Sequence, residues 1–95
     1  MRLNTEQISF IKENLAKVNV IKDIYLFGSR VDDMAKGGDI DILILSDKYV
    51  EPKIIRRFKI NFYKNFGWQK IDIVNFLVDE KHPFKNVALD KAVKL

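Results

Sequence analysis

Three aspartates in apolar, strand-like segments carry the chemistry that this sequence can perform. Asp39 and Asp41 stand in "DIDILIL", and Asp72 stands alone in "KIDIV". Side chains at positions i and i+2 of a strand point to the same side, so Asp39 and Asp41 project together while the isoleucines next to them face apolar packing. If the two segments are neighbouring strands, the three carboxylates meet on one patch.

Carboxylates that share a patch repel one another unless a cation lies between them. Hard oxygen ligands suit Mg²⁺ or Mn²⁺, which commonly bridge carboxylates and substrate phosphates. The pattern therefore predicts that Asp39, Asp41 and Asp72 are both the metal ligands and the catalytic acids of a phosphoryl displacement. Taken singly, the alternatives are that Asp39 starts a strand, that Asp41 lies at an exposed edge and that Asp72 is a solvated strand residue. The conjunction of the three favours a site.

The segment "FGSR" lies where a strand is expected to end and a short helix to begin. Such a turn presents free backbone N–H groups and the positive end of a helix to an anion. Gly28 has no Cβ to hold a phosphate away from the backbone, Ser29 can donate a hydrogen bond to it, and Arg30 adds a cation. A Gly-Ser pair alone is common in ordinary loops. Followed by the acidic strand, it predicts that Gly28, Ser29 and Arg30 bind the phosphates of a nucleotide.

The elements that would position these residues alternate along the chain. Asn4 and Gln7 form a capping box before a helix with Ile8, Ile11, Leu15 and Val18 on one face. Strands are predicted over 22–27, 39–45 and 69–76, and helices over 51–67 and 83–95, with a short helical turn after Ser29. This order predicts an α/β (α+β) fold in which a small mixed β-sheet is packed by helices, all within one domain over residues 1–95.

Composition sets the class of protein and of partner. The chain has 95 residues, no cysteine and a formal net charge of +4. No stretch is apolar enough to span a membrane and no leader opens the chain, so we expect a soluble, cytoplasmic protein. A positive charge favours a nucleotide, a nucleic acid or an acidic protein surface, although solubility alone explains it as well. The basic face of the helix over 51–67 is more typical of an ordinary amphipathic helix than of a nucleic-acid site.

The complete set "FGSR", "DID" and "KIDIV" resembles the nucleotidyltransferase superfamily typified by DNA polymerase beta, over nearly the whole chain. More narrowly, the chain resembles the minimal nucleotidyltransferase (MntA-like) proteins, which are often paired with a HEPN-domain toxin. The resemblance implies a polymerase-beta-like core in which Gly28 and Ser29 bind phosphate, and Asp39 and Asp41 ligate metal. It also implies that Asp72 completes the site and helps to activate the nucleophile.

The leading hypothesis is therefore a Mg²⁺- or Mn²⁺-dependent nucleotidyltransferase that moves NMP, by resemblance AMP from ATP, to a hydroxyl acceptor. The resemblance implies that this acceptor is a tyrosine of a HEPN-type partner toxin. A second hypothesis is an antitoxin that neutralises its partner by contact, with little or no catalysis. A third is a subunit that needs a separately encoded substrate-binding chain. A homo-oligomer and a nucleic-acid partner stay open, the latter less favoured, and the base of the nucleotide is not specified by any motif.

Overall fold

The computed structural model describes residues 3–28 and 40–95. A single mixed sheet has the strand order β3-β2-β1-β4, in which β1 is antiparallel to β2 and β4 while β3 is parallel to β2. This arrangement confirms the predicted fold class. The elements of the described residues are α1 (Thr5–Ala16), β1 (Ile21–Phe27), β2 (Ile40–Ser46), α2 (Pro52–Phe66), β3 (Ile71–Leu77), α3 (Pro83–Asp90) and β4 (Val93–Lys94).

The helices α1 and α2 cover one face of the sheet, which we call the helical face. Ile40, Ile42 and Ile44 of β2 point to this face and are completely buried, as their spacing predicts. They pack with Phe58 and Phe62 of α2 in the larger of two apolar clusters. At roughly 25 cal/mol per Å² of buried apolar surface, this cluster is the main source of stability.

Among the described residues, α3 is the one helix that covers the opposite face of the sheet, which we call the open face. Leu43 and Leu45 of β2 point here and pack against Phe76 and Ala88 in the smaller apolar cluster. Because α3 has only eight residues, it covers part of this face and leaves the beginning of β2 and β3 outside the cluster. The two acidic positions of these strands lie in that uncovered part.

The predicted capping box of α1 is present, and α2 has a proline at its start and a glycine at its end. The side chain of Asn4 accepts a hydrogen bond from the Gln7 backbone at 2.8 Å, and the Asn4 backbone donates to the Gln7 side chain at 3.0 Å. Pro52 stands in the first turn of α2, and Gly67 ends that helix with φ of 85°. These local signals place α1 and α2 where the hydrophobic pattern requires them.

The prediction of one closing helix over 83–95 is wrong. The helix ends at Asp90, and Val93–Lys94 form β4 beside β1. The Leu95 amide donates to the Ile24 carbonyl at 2.9 Å, and Lys94 pairs with Asp23 at 3.1 Å. The tail is extended because β1 would otherwise expose an unpaired backbone edge, a demand that the helical pattern of the tail does not reveal.

The strand bounds differ from the predicted ones by one or two residues, and the helical turn predicted after Ser29 lies outside the described residues. No helix in the described ranges is long and apolar enough to cross a membrane.

Candidate active site

Asp41 and Asp72 lie side by side on the open face of the sheet. They are register partners of the parallel pair β2 and β3, in which adjacent strands run about 4.8 Å apart. Residues opposite each other in a ladder point to the same face, so the two carboxylates share one side of the sheet. The structure thus brings together two of the three predicted acids.

Gly28 adjoins this acidic pair from the other side. Phe27, the last residue of β1, is the register partner of Asp41, so the chain leaves β1 beside that carboxylate. Gly28 has a φ of +74°, and a Cβ at this position would collide with the Asp41 side chain. A left-handed backbone and a close approach both require glycine here. One residue of the predicted phosphate turn, Gly28, therefore lies against one of the predicted metal ligands, Asp41.

Three of the six predicted site residues, Ser29, Arg30 and Asp39, lie outside the described residues. Within the described part, no group of three or more histidine, cysteine, aspartate or glutamate side chains is placed to hold a metal ion. The two aspartates that are described supply hard carboxylate oxygens, a donor set that suits Mg²⁺ or Mn²⁺. Their chemistry fits such an ion, with Asp39 as the third ligand that the sequence pattern predicts.

Asp72 is the more accessible of the two acids. Its side chain is exposed and makes no hydrogen bond or ion pair with the described residues, whereas Asp41 is half-buried. An exposed carboxylate without a protein partner is available to a ligand. Asp72 lies on β3, which is the outer of the two strands that carry the acidic pair.

An apolar groove beside Gly28 was not predicted from the sequence. It has a volume of about 480 Å³ and lies between the end of β1 and α3, and its lining residues are Phe27, Gly28, Phe84, Val87, Ala88, Asp90 and Lys91. The side chains of Phe84 and Val87 are 43% and 71% exposed, which is a high exposed fraction for apolar residues of a helix that packs on a sheet. Their spacing of three along the helix marks a common face, which is the one sequence signal for this groove.

His82 is exposed and caps α3. Its Nδ1 accepts a hydrogen bond from the Phe84 amide at 3.1 Å.

A sequence model of the family described as "Polymerase beta, Nucleotidyltransferase" matches residues 9–95. The chain belongs to this family. The match confirms the enzyme class predicted from the three motifs. No curated protein matches the chain significantly.

Several solved structures similar to this chain come from toxin–antitoxin systems. A mutant of the pair MntA-HpeT has a TM-score of 0.70 at 20% identity, over 99% of this chain and 72% of that one. A toxin–antitoxin structure with AMP-PNP has a TM-score of 0.68 at 18% identity, over 97% and 72%. The tri-AMPylated HEPN toxin of Shewanella oneidensis in complex with its MNT antitoxin gives 0.59 at 17% identity, over 94% and 65%. At these identities the likeness is one of fold, and it confirms the MntA-like resemblance.

Proposed function

We propose that the chain is a metal-dependent nucleotidyltransferase that transfers AMP from ATP to a hydroxyl acceptor. The observation that carries this proposal is the register of Asp41 with Asp72, with Gly28 against Asp41, in a member of a nucleotidyltransferase family. A phosphate-binding turn and paired carboxylates in contact are the parts that the transfer of a phosphoryl group needs.

Each set of site residues has a separate role in the proposed reaction. Asp39, Asp41 and Asp72 hold Mg²⁺ or Mn²⁺, which supplies positive charge to the phosphates when it is bound. Gly28, Ser29 and Arg30 hold the β- and γ-phosphates. The acceptor oxygen attacks the α-phosphorus, its proton passes to the Asp72 carboxylate, and the bond from the α-phosphorus to the bridging oxygen breaks. Pyrophosphate then leaves on the side of Gly28.

The nucleoside of ATP has room in the groove beside Gly28. That groove adjoins Gly28, and the rings of Phe27 and Phe84 form its apolar wall, with centroids 6.0 Å apart. Its volume of about 480 Å³ falls within the ordinary range of small-molecule sites.

We further propose that the acceptor is a tyrosine of a HEPN-type partner protein. The support is the likeness of fold to the MntA-HpeT pair and to the MNT antitoxin bound to a tri-AMPylated HEPN toxin. The rival function is an antitoxin that acts by contact alone. The exposed Ile60 and Trp68, 45% and 76% accessible, are the observation in its favour.

Intact-mass spectrometry of the partner, together with a growth-rescue assay, separates the two functions. The wild-type chain with ATP and Mg²⁺ should add the mass of AMP to its HEPN-type partner, and Asp72→Asn should stop the transfer and the rescue together. Asp79→Asn is the matched control, because it makes the same change of charge at an exposed position beyond the far end of β3. Full rescue by Asp72→Asn with no added mass would overturn the catalytic proposal in favour of contact.

A further inference from the structure

Strand β3 forms one outer edge of the sheet. Ile40 N donates to Lys70 O at 2.9 Å and Val78 N donates to Ser46 O at 2.9 Å. In a parallel ladder these bonds alternate, so the backbone groups of Asp72, Val74 and Phe76 also point inward to β2. The N–H and C=O groups of the residues between them point outward, and these residues are Ile71, Ile73, Asn75 and Leu77.

The far end of this edge is closed by two side chains. The Leu77 amide donates to the Glu80 carboxylate at 2.9 Å, and the buried Lys85 ammonium donates to the carbonyls of Leu77, Val78 and Glu80 at 2.8 to 3.0 Å. The hydrogen bond from the Tyr49 hydroxyl, followed by that from the Leu77 amide, lowers the pKa of Glu80, so this closure stays charged at neutral pH. The backbone of the edge is therefore occupied from Leu77 onward.

The near end, from Ile71 to Asn75, is open. Among the described residues, no strand pairs with it and no side chain closes the outward backbone groups of Ile71 and Ile73. This part of the strand has no proline, lysine or bulge, which are features that protect an edge from another chain, and its one charged residue is Asp72 of the site itself. The opposite edge of the sheet, by contrast, is covered by β4.

We propose that the acceptor reaches the site as an extended peptide segment that adds to the open edge of β3. The inference rests on the proposed function and names its acceptor class, a hydroxyl side chain of an extended peptide. In an added strand the residue opposite Asp72 points to the same face, with its Cβ about 5 Å from that of Asp72. A tyrosine ring at that position has to lean over Asp72, which brings its hydroxyl to the carboxylate that takes the proton.

The order of the groups across the open face is consistent with an acceptor that enters from the outer edge of β3. Gly28 adjoins Asp41, Asp41 lies opposite Asp72, and the added strand continues the series outward. The leaving pyrophosphate and the attacking hydroxyl thus stand on opposite sides of the acidic pair, as an in-line displacement requires. A partner bound only to the exposed side of α2 would be on the helical face of the sheet, away from both acids.

The first test uses short peptides with one tyrosine between alternating valine and glutamine residues, incubated with the full chain, ATP and Mg²⁺. Two further versions carry N-methyl groups on one or the other set of alternate amides. Since a strand pairs through one set only, one version should lose AMP transfer by roughly tenfold or more while the other keeps it. Equal transfer to both methylated peptides would overturn the inference.

The second test uses Ile73→Pro, which removes an outward N–H at the middle of the open edge, against Ile73→Ala, which removes the same side chain and keeps that N–H. Both variants should retain Mg²⁺-dependent ATP binding, and only the proline variant should lose transfer to the tyrosine peptide. If the proline variant does not fold, protection of the Ile71 and Ile73 amides from hydrogen exchange by the unmethylated peptide serves instead.

Three outcomes contradict the inference in distinguishable ways. Transfer to a HEPN-type protein at equal rates by both Ile73 variants would overturn the docking mode and leave the proposed function standing. Dimerisation through β3 that the peptide does not displace would assign the edge to a second copy. Failure of the wild-type chain to bind ATP with Mg²⁺ would remove the proposed function, and the inference with it.

Discussion

At the scale of single residues, Gly28 links the phosphate turn to the metal ligands. Its φ of +74° disfavours any residue with a Cβ, and its missing Cβ leaves the space that Asp41 occupies. Gly67 has a similar φ of +85°, but a Cβ there would meet nothing within 4 Å. Both described glycines therefore have a positive φ, and one of them adjoins the site.

We expect Gly28→Ala and Gly67→Ala each to lower the free energy of unfolding by about 1–3 kcal/mol, because both force alanine to a positive φ. Only Gly28→Ala should also weaken Mg²⁺-dependent ATP binding, since its methyl group displaces the Asp41 carboxylate. Urea unfolding and calorimetry measure the two effects. Unchanged nucleotide binding in Gly28→Ala would show that contact with Asp41 does not matter for the site.

At the scale of elements, Asn75 connects β3 to β2 and to the segment that precedes α2. Its side-chain oxygen accepts from the Val50 amide at 2.7 Å, and its amide donates to the Ser46 hydroxyl at 2.8 Å. Val50 and Ser46 are buried, so neither group can turn to water instead. Asn75 thereby fixes β3 to the end of β2 and to the segment that leads into α2.

Asn75→Ala should lower the free energy of unfolding by about 1–3 kcal/mol, because it strands a buried backbone N–H and a buried hydroxyl. Asn65→Ala is the control. Asn65 is exposed and donates only to the carbonyl one turn earlier in α2, so its loss should change stability by less than about 0.5 kcal/mol. Equal denaturation midpoints for the two variants would contradict the structural role of Asn75.

The helices and strands also show which features of the fold and of the site can be predicted from the sequence. The alternation of Asp41 and Asp72 with isoleucines predicts which face each side chain takes, because that rule is local. Their register, and the pairing of Val93–Lys94 with β1, depend on contacts between distant segments, which local periodicity does not contain. The groove at Phe84 and Val87 could not be predicted for the same reason, because only the placement of α3 beside the end of β1 leaves these two residues exposed there.

At the scale of the whole molecule, the basic residues of α2 and the acidic pair of the candidate site lie on opposite faces of the sheet. Five basic residues and no acidic one occur in α2, on the helical face, whereas Asp41 and Asp72 lie on the open face. A triphosphate at the acidic pair therefore meets carboxylates before it meets the cations of α2. Without a divalent ion, the carboxylates of Asp41 and Asp72 therefore repel the triphosphate of ATP.

The central claim is that Asp41 and Asp72 hold ATP through a divalent ion, and calorimetry of ATP binding tests it most directly. Wild-type chain should bind ATP in Mg²⁺ and lose about tenfold or more in affinity, ~1.4 kcal/mol or more, in chelator. Asp41→Asn and Asp72→Asn should abolish the gain from Mg²⁺, while Asp79→Asn should keep it. Equal ATP affinity in Mg²⁺ and in chelator, or an undiminished gain in Asp41→Asn, would contradict the claim.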